Sequence, residues 1–275
     1  MRILDLDTAP FHALDYRSAK RGGGSERAVC EMFAGVVDVL PDHVDALVIT
    51  GDLQGVVGFG AATRLLGAEL AIELASLSLD GALPPLERVG CIIAGDMYSA
   101  PAADERGASG DVRAVWSALG ASLAFVAGVA GNHDSFGTRH ERAVLAAMPG
   151  VHLLDGDVVE LGGAQVGGVS GIVGDPKRVQ RKELDTFLAL TRAVLTAEAD
   201  LLVLHEGPSG GDGQRGNATV RDAIIDAASA PVLVACGHVH WRAPLADISA
   251  LVQVLNVDGR VVVLRGATPA RAPSR

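Results

Sequence analysis

The chain has 275 residues, enough for one large domain or two small ones. It is 49% hydrophobic but only 4% aromatic, so its core is aliphatic; a formal net charge of −10 weighs against general binding to nucleic-acid backbones and suits a carboxylate-rich cation site. No apolar run is long enough to span a bilayer, the N-terminus lacks a signal-peptide core, and Cys30, Cys91 and Cys236 read as buried thiols in a reducing compartment, so a cytoplasmic protein without a membrane partner is expected.

In chain order, Ile3–Leu6 reads as a short strand, and residues 8–25 as a polar loop around Gly22-Gly23-Gly24. Val29, Met32, Phe33, Val36, Val37 and Leu40 recur at helical spacing, and Pro41 ends the predicted helix. Between residues 46 and 134 the pattern alternates strand, helix, strand, helix, strand, which predicts parallel strands with helical crossovers. The predicted helices are 61–79 and 112–119, and a polar segment over 99–111 loops over the strand ends. Beyond Met148, the runs 151–154, 158–161 and 165–169 read as an antiparallel meander. Helices are predicted over 183–198 and 218–228, and the runs 251–257 and 260–264 read as a hairpin turning at Asp258-Gly259. The whole chain, 1–275, reads as one domain, with 1–45 an N-terminal extension and 267–275 a frayed tail.

Several apolar runs end in residues that bind cations. Two end in Gly-Asp (Gly51-Asp52 and Gly95-Asp96), one in Gly131-Asn132-His133-Asp134, one in His205 and one in Gly237-His238-Val239-His240. Open α/β sheets place their sites at the C-terminal ends of strands. A two-metal hydrolase needs hard oxygen ligands, neutral imidazoles and a bridging carboxylate, and Asp52, Asp96, Asn132, His205, His238 and His240 supply them. Alternate residues of a strand share a face, so a strand continuing through His240 aims both histidines of the His-x-His pair at one cluster.

This ordered set, from about residue 46 to 265, resembles the motifs of the calcineurin-like metallophosphoesterase superfamily. The resemblance implies an α/β (α+β sandwich) fold: two mixed β-sheets packed face to face with flanking helices, a four-layer α/β/β/α arrangement. It implies two divalent cations, with Mn2+ the first choice among Mn2+, Fe, Zn, Ni and Mg, and a hydroxide that they activate to attack phosphorus in a phosphate mono- or diester. Asp96 would bridge the cations; Asp52, His240 and Gln54 would hold one, and Asn132, His205 and His238 the other. His133 would protonate the leaving oxygen. Asp134 would orient the His133 imidazole or, alternatively, cap a turn. The implied partner is a small phosphate ester or a nucleotide. The alternative is a binding or scaffold protein that kept the fold and lost turnover.

The family opens with Asp-x-His, and no such tripeptide fits here. Asp52-Leu53-Gln54-Gly55 fills that slot with Gln54 in place of histidine, and one strand–helix–strand unit then separates each motif from the next. The competing placement, Asp5-Leu6-Asp7 with Asp52 as bridge, leaves an extra strand and helix before Asn132. Lesser signals are read as bland. The GxGxxG match at 211–216 lacks the acid expected about twenty residues on, where Cys236 stands. Arg106, Arg113, Arg215 and Arg221 read as surface arginines within reach of a substrate phosphate, and Trp116 and Trp241 as packing.

Overall fold

A computed structural model describes residues 1–211 and 213–267. The stretch from 268 on, most of the tail that the sequence reads as frayed, and Asp212 of the GxGxxG match lie outside the described residues. Two large sheets face each other. The first has ten strands in the order Val151–Leu153, Phe125–Gly128, Val89–Ile93, Ala46–Gly51, Arg260–Gly266, Ser25–Val37, His12–Ala19, Gly55–Val57 and Arg64–Leu65, with Ile3–Leu6 beside Ser25–Val37. The second has six: Asp157–Leu161, Ala164–Val169, Leu201–Glu206, Val232–Gly237, Val252–Asn256 and Leu245–Asp247. Five α-helices are described: α1 (Leu66–Leu79), α2 (Arg113–Ser122), α3 (Arg139–Ala146), α4 (Leu184–Thr196) and α5 (Ala218–Ala227).

Period-two side-chain alternation builds the layers. Leu47 and Ile49 of one strand point between the sheets, toward Leu201, Val203, Leu233 and Leu255. Val48 from the same strand points outward, into a core with Leu66, Leu70 and Leu74 of α1 and Val115, Trp116 and Leu119 of α2. On the far side, Leu202, Leu204 and Val234 pack under Phe187 and Val194 of α4 and Val220 and Ile224 of α5. The result is the four-layer α/β/β/α sandwich. The central strands are covered on both faces, so they are continuous apolar runs rather than alternating ones. All three cysteines are buried and free, and no described helix is long and apolar enough to cross a membrane.

Three expectations need correction. The predicted helix from Val29 to Leu40 is the long strand Ser25–Val37, and the preceding polar loop contains the strand His12–Ala19 that pairs with it antiparallel. Cys30 and Met32 face the α1 layer, whereas Val37 faces the second sheet. Burial therefore shifts from even to odd positions along one strand, and that shift mimics a helical period. The early odd positions are uncovered, as the 52% exposure of Val29 shows. The second correction concerns the Asp258-Gly259 turn. Val252–Asn256 lies parallel to Val232–Gly237 in the second sheet, and Arg260–Gly266 lies antiparallel to Ala46–Gly51 in the first. The turn is thus a corner between sheets, held by Gly259 N–H donating to the Gly51 carbonyl at 3.1 Å. Finally, Val151–Leu153 pairs parallel with Phe125–Gly128 in the first sheet, so only Asp157–Leu161 and Ala164–Val169 form the expected antiparallel pair. Residues 1–37 supply three strands of the first sheet.

Candidate metal centre

The strand ends of both sheets meet at one rim of the sandwich. Ala46–Gly51 delivers Asp52, Val89–Ile93 delivers Asp96, and Phe125–Gly128 delivers Asn132 and His133. From the second sheet, His205 sits near the end of Leu201–Glu206, and His238 follows Val232–Gly237. Close approach explains the glycines in these motifs. A Cβ on Gly131 would fall 2.0 Å from Asp96 Oδ1, and one on Gly237 would fall 2.0 Å from Asp52 Oδ2. Asp52, Asp96 and His238 all have φ between 53° and 66°, the left-handed region that non-glycine residues enter at a cost of order 1 kcal/mol each.

One half of the rim is closed upon itself. Ligand atoms of Asp96, His205 and His238 all lie within 4.8 Å of one another. His205 is fully buried, and its Nδ1 is 2.8 Å from the Ala94 carbonyl, which accepts the ring proton. That bond leaves Nε2 facing Asp96 Oδ2 and Asn132 Oδ1, each at 3.3 Å. A carbonyl behind the imidazole is the usual support of a histidine ligand, because it fixes ring and tautomer. A carboxylate, an amide oxygen and two imidazoles make a donor set that fits a divalent transition-metal ion. Burial disfavours the charged His205 ring, but the Asp96 and Asp52 carboxylates outweigh it and raise its pKa to about 10. A cation bound here would take the place of that proton. Burial, reinforced by repulsion from His205, pulls the half-buried His238 down to about 4. Burial holds Asp52 well above the usual carboxylate range, whereas for Asp96 the neighbouring His205 overcomes burial and the shift is downward.

The other half is already engaged. Gln54 Nε2 donates to Asp96 Oδ2 at 3.0 Å, so the side chain presents N–H rather than oxygen. Asp52 Oδ2 accepts the His238 N–H at 2.9 Å. His240 does not join the cluster: its Nδ1 is 3.0 Å from Asp258 Oδ2, the Arg260 guanidinium lies 3.2 Å from the ring, and the side chain is 65% exposed. The strand ends at Gly237, and the left-handed His238 then breaks the alternation that would aim both histidines the same way.

The catalytic candidates are separately placed. The His133 N–H donates to Asp96 Oδ1 at 2.9 Å, and its Nδ1 is 3.0 Å from Ser109 Oγ. Asp134 does not orient that ring. Its buried carboxylate accepts the N–H groups of Asp96 and Met97 at 2.8 Å and of Gly131 at 2.9 Å, clamping two motifs together. Burial, then the nearby Asp96 charge, raises Asp134 to about 6. Asp5 and Asp7 lie away from Asp96, in a groove of about 920 Å3 that also reaches His240, Arg242 and Arg260. Arg106 lines a cavity of about 220 Å3 with Asp52 and Gln54. Arg113 pairs with Asp111 and Glu141, and Arg221 donates to the Gly210 carbonyl, so both are structural. Trp241 is buried, with Nε1 donating to the Arg215 carbonyl at 2.6 Å.

No family model and no curated protein matches the chain. Solved structures similar to it include a Thermus thermophilus sulfate thiohydrolase, SoxB, in complex with glycerol (12% identity over 82% of this chain and 58% of that one; TM-score 0.43). A protein of unknown function from Aquifex aeolicus is 14% identical over 79% of this chain and 95% of its own, with a TM-score of 0.35. A 5'-nucleotidase precursor from Thermus thermophilus is 12% identical over 81% of this chain and 48% of its own, with a TM-score of 0.37. This chain therefore spans about half the length of the nucleotidase and somewhat more of SoxB. Likenesses this distant carry no weight on chemistry, which rests on the rim itself.

Sequence reasoning missed Ser109, Asp258, Arg260 and the cations Lys177, Arg178 and Arg181. The last three were visible as a signal: Lys177-Arg178-Val179-Gln180-Arg181-Lys182 puts four cations in six residues of an acidic chain. Asp258 and Arg260 were hidden because their turn reads as a hairpin.

Proposed function

We propose that this protein is a metal-dependent phosphoesterase that hydrolyses phosphate mono- or diesters. The observation that supports it is the convergence of Asp96, His205 and His238 within 4.8 Å, with Asn132 against His205. In this reading, Asp96, Asn132, His205 and His238 hold one divalent cation firmly. A second would use Asp52, Asp96, Gln54 and His240. It would require the Gln54 amide to turn its oxygen inward and His240 to leave Asp258 and Arg260, so it binds more weakly. Bound cations would supply Lewis acidity, lowering the pKa of a water nucleophile and offsetting charge on the phosphoryl oxygens. His133 lies beside these ligands; with Nδ1 engaged by Ser109, its Nε2 is the atom that holds the proton for the leaving oxygen. Asp134 keeps the Asp96 and Gly131 backbones in register.

Metal titration by calorimetry, with p-nitrophenyl phosphate and bis-p-nitrophenyl phosphate assays in Mn2+, tests the reading. One tight and one weak class of site with turnover of either ester is the expected result. A second reading, a silent binding protein, is favoured by Gln54 and by the engaged His240. Stoichiometric metal binding without cleavage of either ester or of a nucleotide would select it.

A further inference from the structure

A second hollow opens beside the candidate centre and shares Asn132 with it. It has a volume of about 410 Å3, and its lining includes Ser109, Asn132, Asp134, Lys177, Arg178 and Arg181. Asn132 also bonds His205, and Ser109 also bonds His133, so the hollow is continuous with the groups that would handle the ester. Lys177, Arg178 and Arg181 form no salt bridge among the described residues, whereas the adjacent Lys182 is taken up by Asp155 at 2.9 Å and by the Ser170 carbonyl at 2.8 Å. The carboxylates nearby are also occupied. Asp134 is buried and accepts three backbone N–H groups, and Asp175 accepts the Lys177 N–H at 3.0 Å.

The segment bearing these cations is anchored. Its ends pair as a short parallel ladder, Ile172–Val173 with Arg181–Lys182. The Val173 N–H donates to the carboxylate of Glu206, the residue after His205, and that carboxylate also accepts from Asn217. The same strand end therefore positions the buried imidazole and the base of the cationic segment. In a chain of net charge −10, three cations without a salt-bridge partner among the described residues, lining a hollow that touches Asn132, mark an anion site.

We propose that this hollow binds a second phosphate group of the substrate, so that the preferred substrates are small esters carrying two phosphates. The proposal rests on the phosphoesterase reading for the first phosphate. The cationic strip is short and the remaining charge is acidic, which favours a small bisphosphate over a polynucleotide.

The matched pair n-butyl phosphate and 1,4-butanediol bisphosphate tests it in the Mn2+-loaded 275-residue protein, beside the double variant Lys177→Ala, Arg178→Ala. A KM about tenfold lower for the bisphosphate is expected in the unaltered protein, as charge-assisted hydrogen bonds provide. The double variant should lose that advantage while keeping its metal content, its melting temperature and its kinetics on butyl phosphate, and Arg178→Lys should retain most of it. Equal KM values in the unaltered protein, or equal losses on both esters in the variant, overturn the proposal. Should neither ester be cleaved, calorimetry with methylenediphosphonate against methylphosphonate still decides. Tighter binding of the diphosphonate that the double variant loses keeps the hollow and removes only the catalytic reading; indifference to the variant removes the hollow. Tight binding of a single-stranded oligonucleotide with no preference for the bisphosphate also overturns it.

Discussion

The two halves of the rim differ in what their side chains hold before any cation arrives. In the half built from Asp96, Asn132, His205 and His238, the donors already face one another within reach of a single cation. In the half built from Asp52, Gln54 and His240, an amide N–H points at the Asp96 carboxylate, and the histidine is held outward by Asp258 and Arg260. Both halves hang from strand ends at the same rim. Preorganisation is therefore a property of side-chain partners here, and loading is expected to be sequential, first half before second.

The sharpest way to break this contrast is to remove what aligns the first half. Asp134→Ala strands three buried backbone N–H groups, and each buried unsatisfied donor costs about 1–3 kcal/mol, so a loss of several kcal/mol is expected in urea denaturation of the metal-free protein. A loss below about 1 kcal/mol would mean the clamp is dispensable. Next in size is His205→Ala. It should abolish the tight class of metal site, weakening it beyond the roughly 10–100-fold that loss of an outer partner costs, and turnover should go with it. Retention of the tight class in that variant would move the first cation elsewhere. His133→Ala separates the roles: turnover is lost while metal content stays, and loss of metal would make His133 a ligand.

The site was unevenly legible. Asp52, Asp96, Asn132, His205 and His238 stood out because apolar runs leading into glycine announce buried strands and the close backbone contacts at Gly131 and Gly237. Their convergence across two sheets follows from the layering, which the alternation of Leu47, Val48 and Ile49 encodes. The outward placement of His240 was not legible because the parity rule needs an extended backbone, and His238 at φ 66° is not extended. Its partner Arg260 was invisible for a different reason. The Asp-Gly signal specifies a tight turn but does not say whether the two strands share a sheet, and here the chain changes sheets at that turn. The strand Ser25–Val37 was lost to a change in which face is covered, a tertiary fact that no local window contains.

A gentler change sharpens the contrast from the second half. Gln54→His replaces an amide that donates to Asp96 with an imidazole able to coordinate. The weak class of site should tighten by about tenfold, which corresponds to roughly 1.4 kcal/mol, with the tight class unmoved. If both classes shift together, the two cations are coupled through Asp96 more strongly than the separate halves imply.

The smallest effect belongs to His240→Ala, and its smallness is the point. The ring is 65% exposed and paired with Asp258 at the surface, and exposed ion pairs contribute about 0–1 kcal/mol. Unfolding should therefore change by less than about 1 kcal/mol. The Arg260 guanidinium keeps its bond to the Trp241 carbonyl at 2.9 Å, so the inter-sheet corner survives the loss. The tight cation should bind as before, because no donor of the first half touches His240. Only the weak class should fade, since that class alone asks the imidazole to swing inward. Loss of the tight class instead would show that His240 reaches Asp96 once a cation is present, and the asymmetry between the halves would then belong to the metal-free state only.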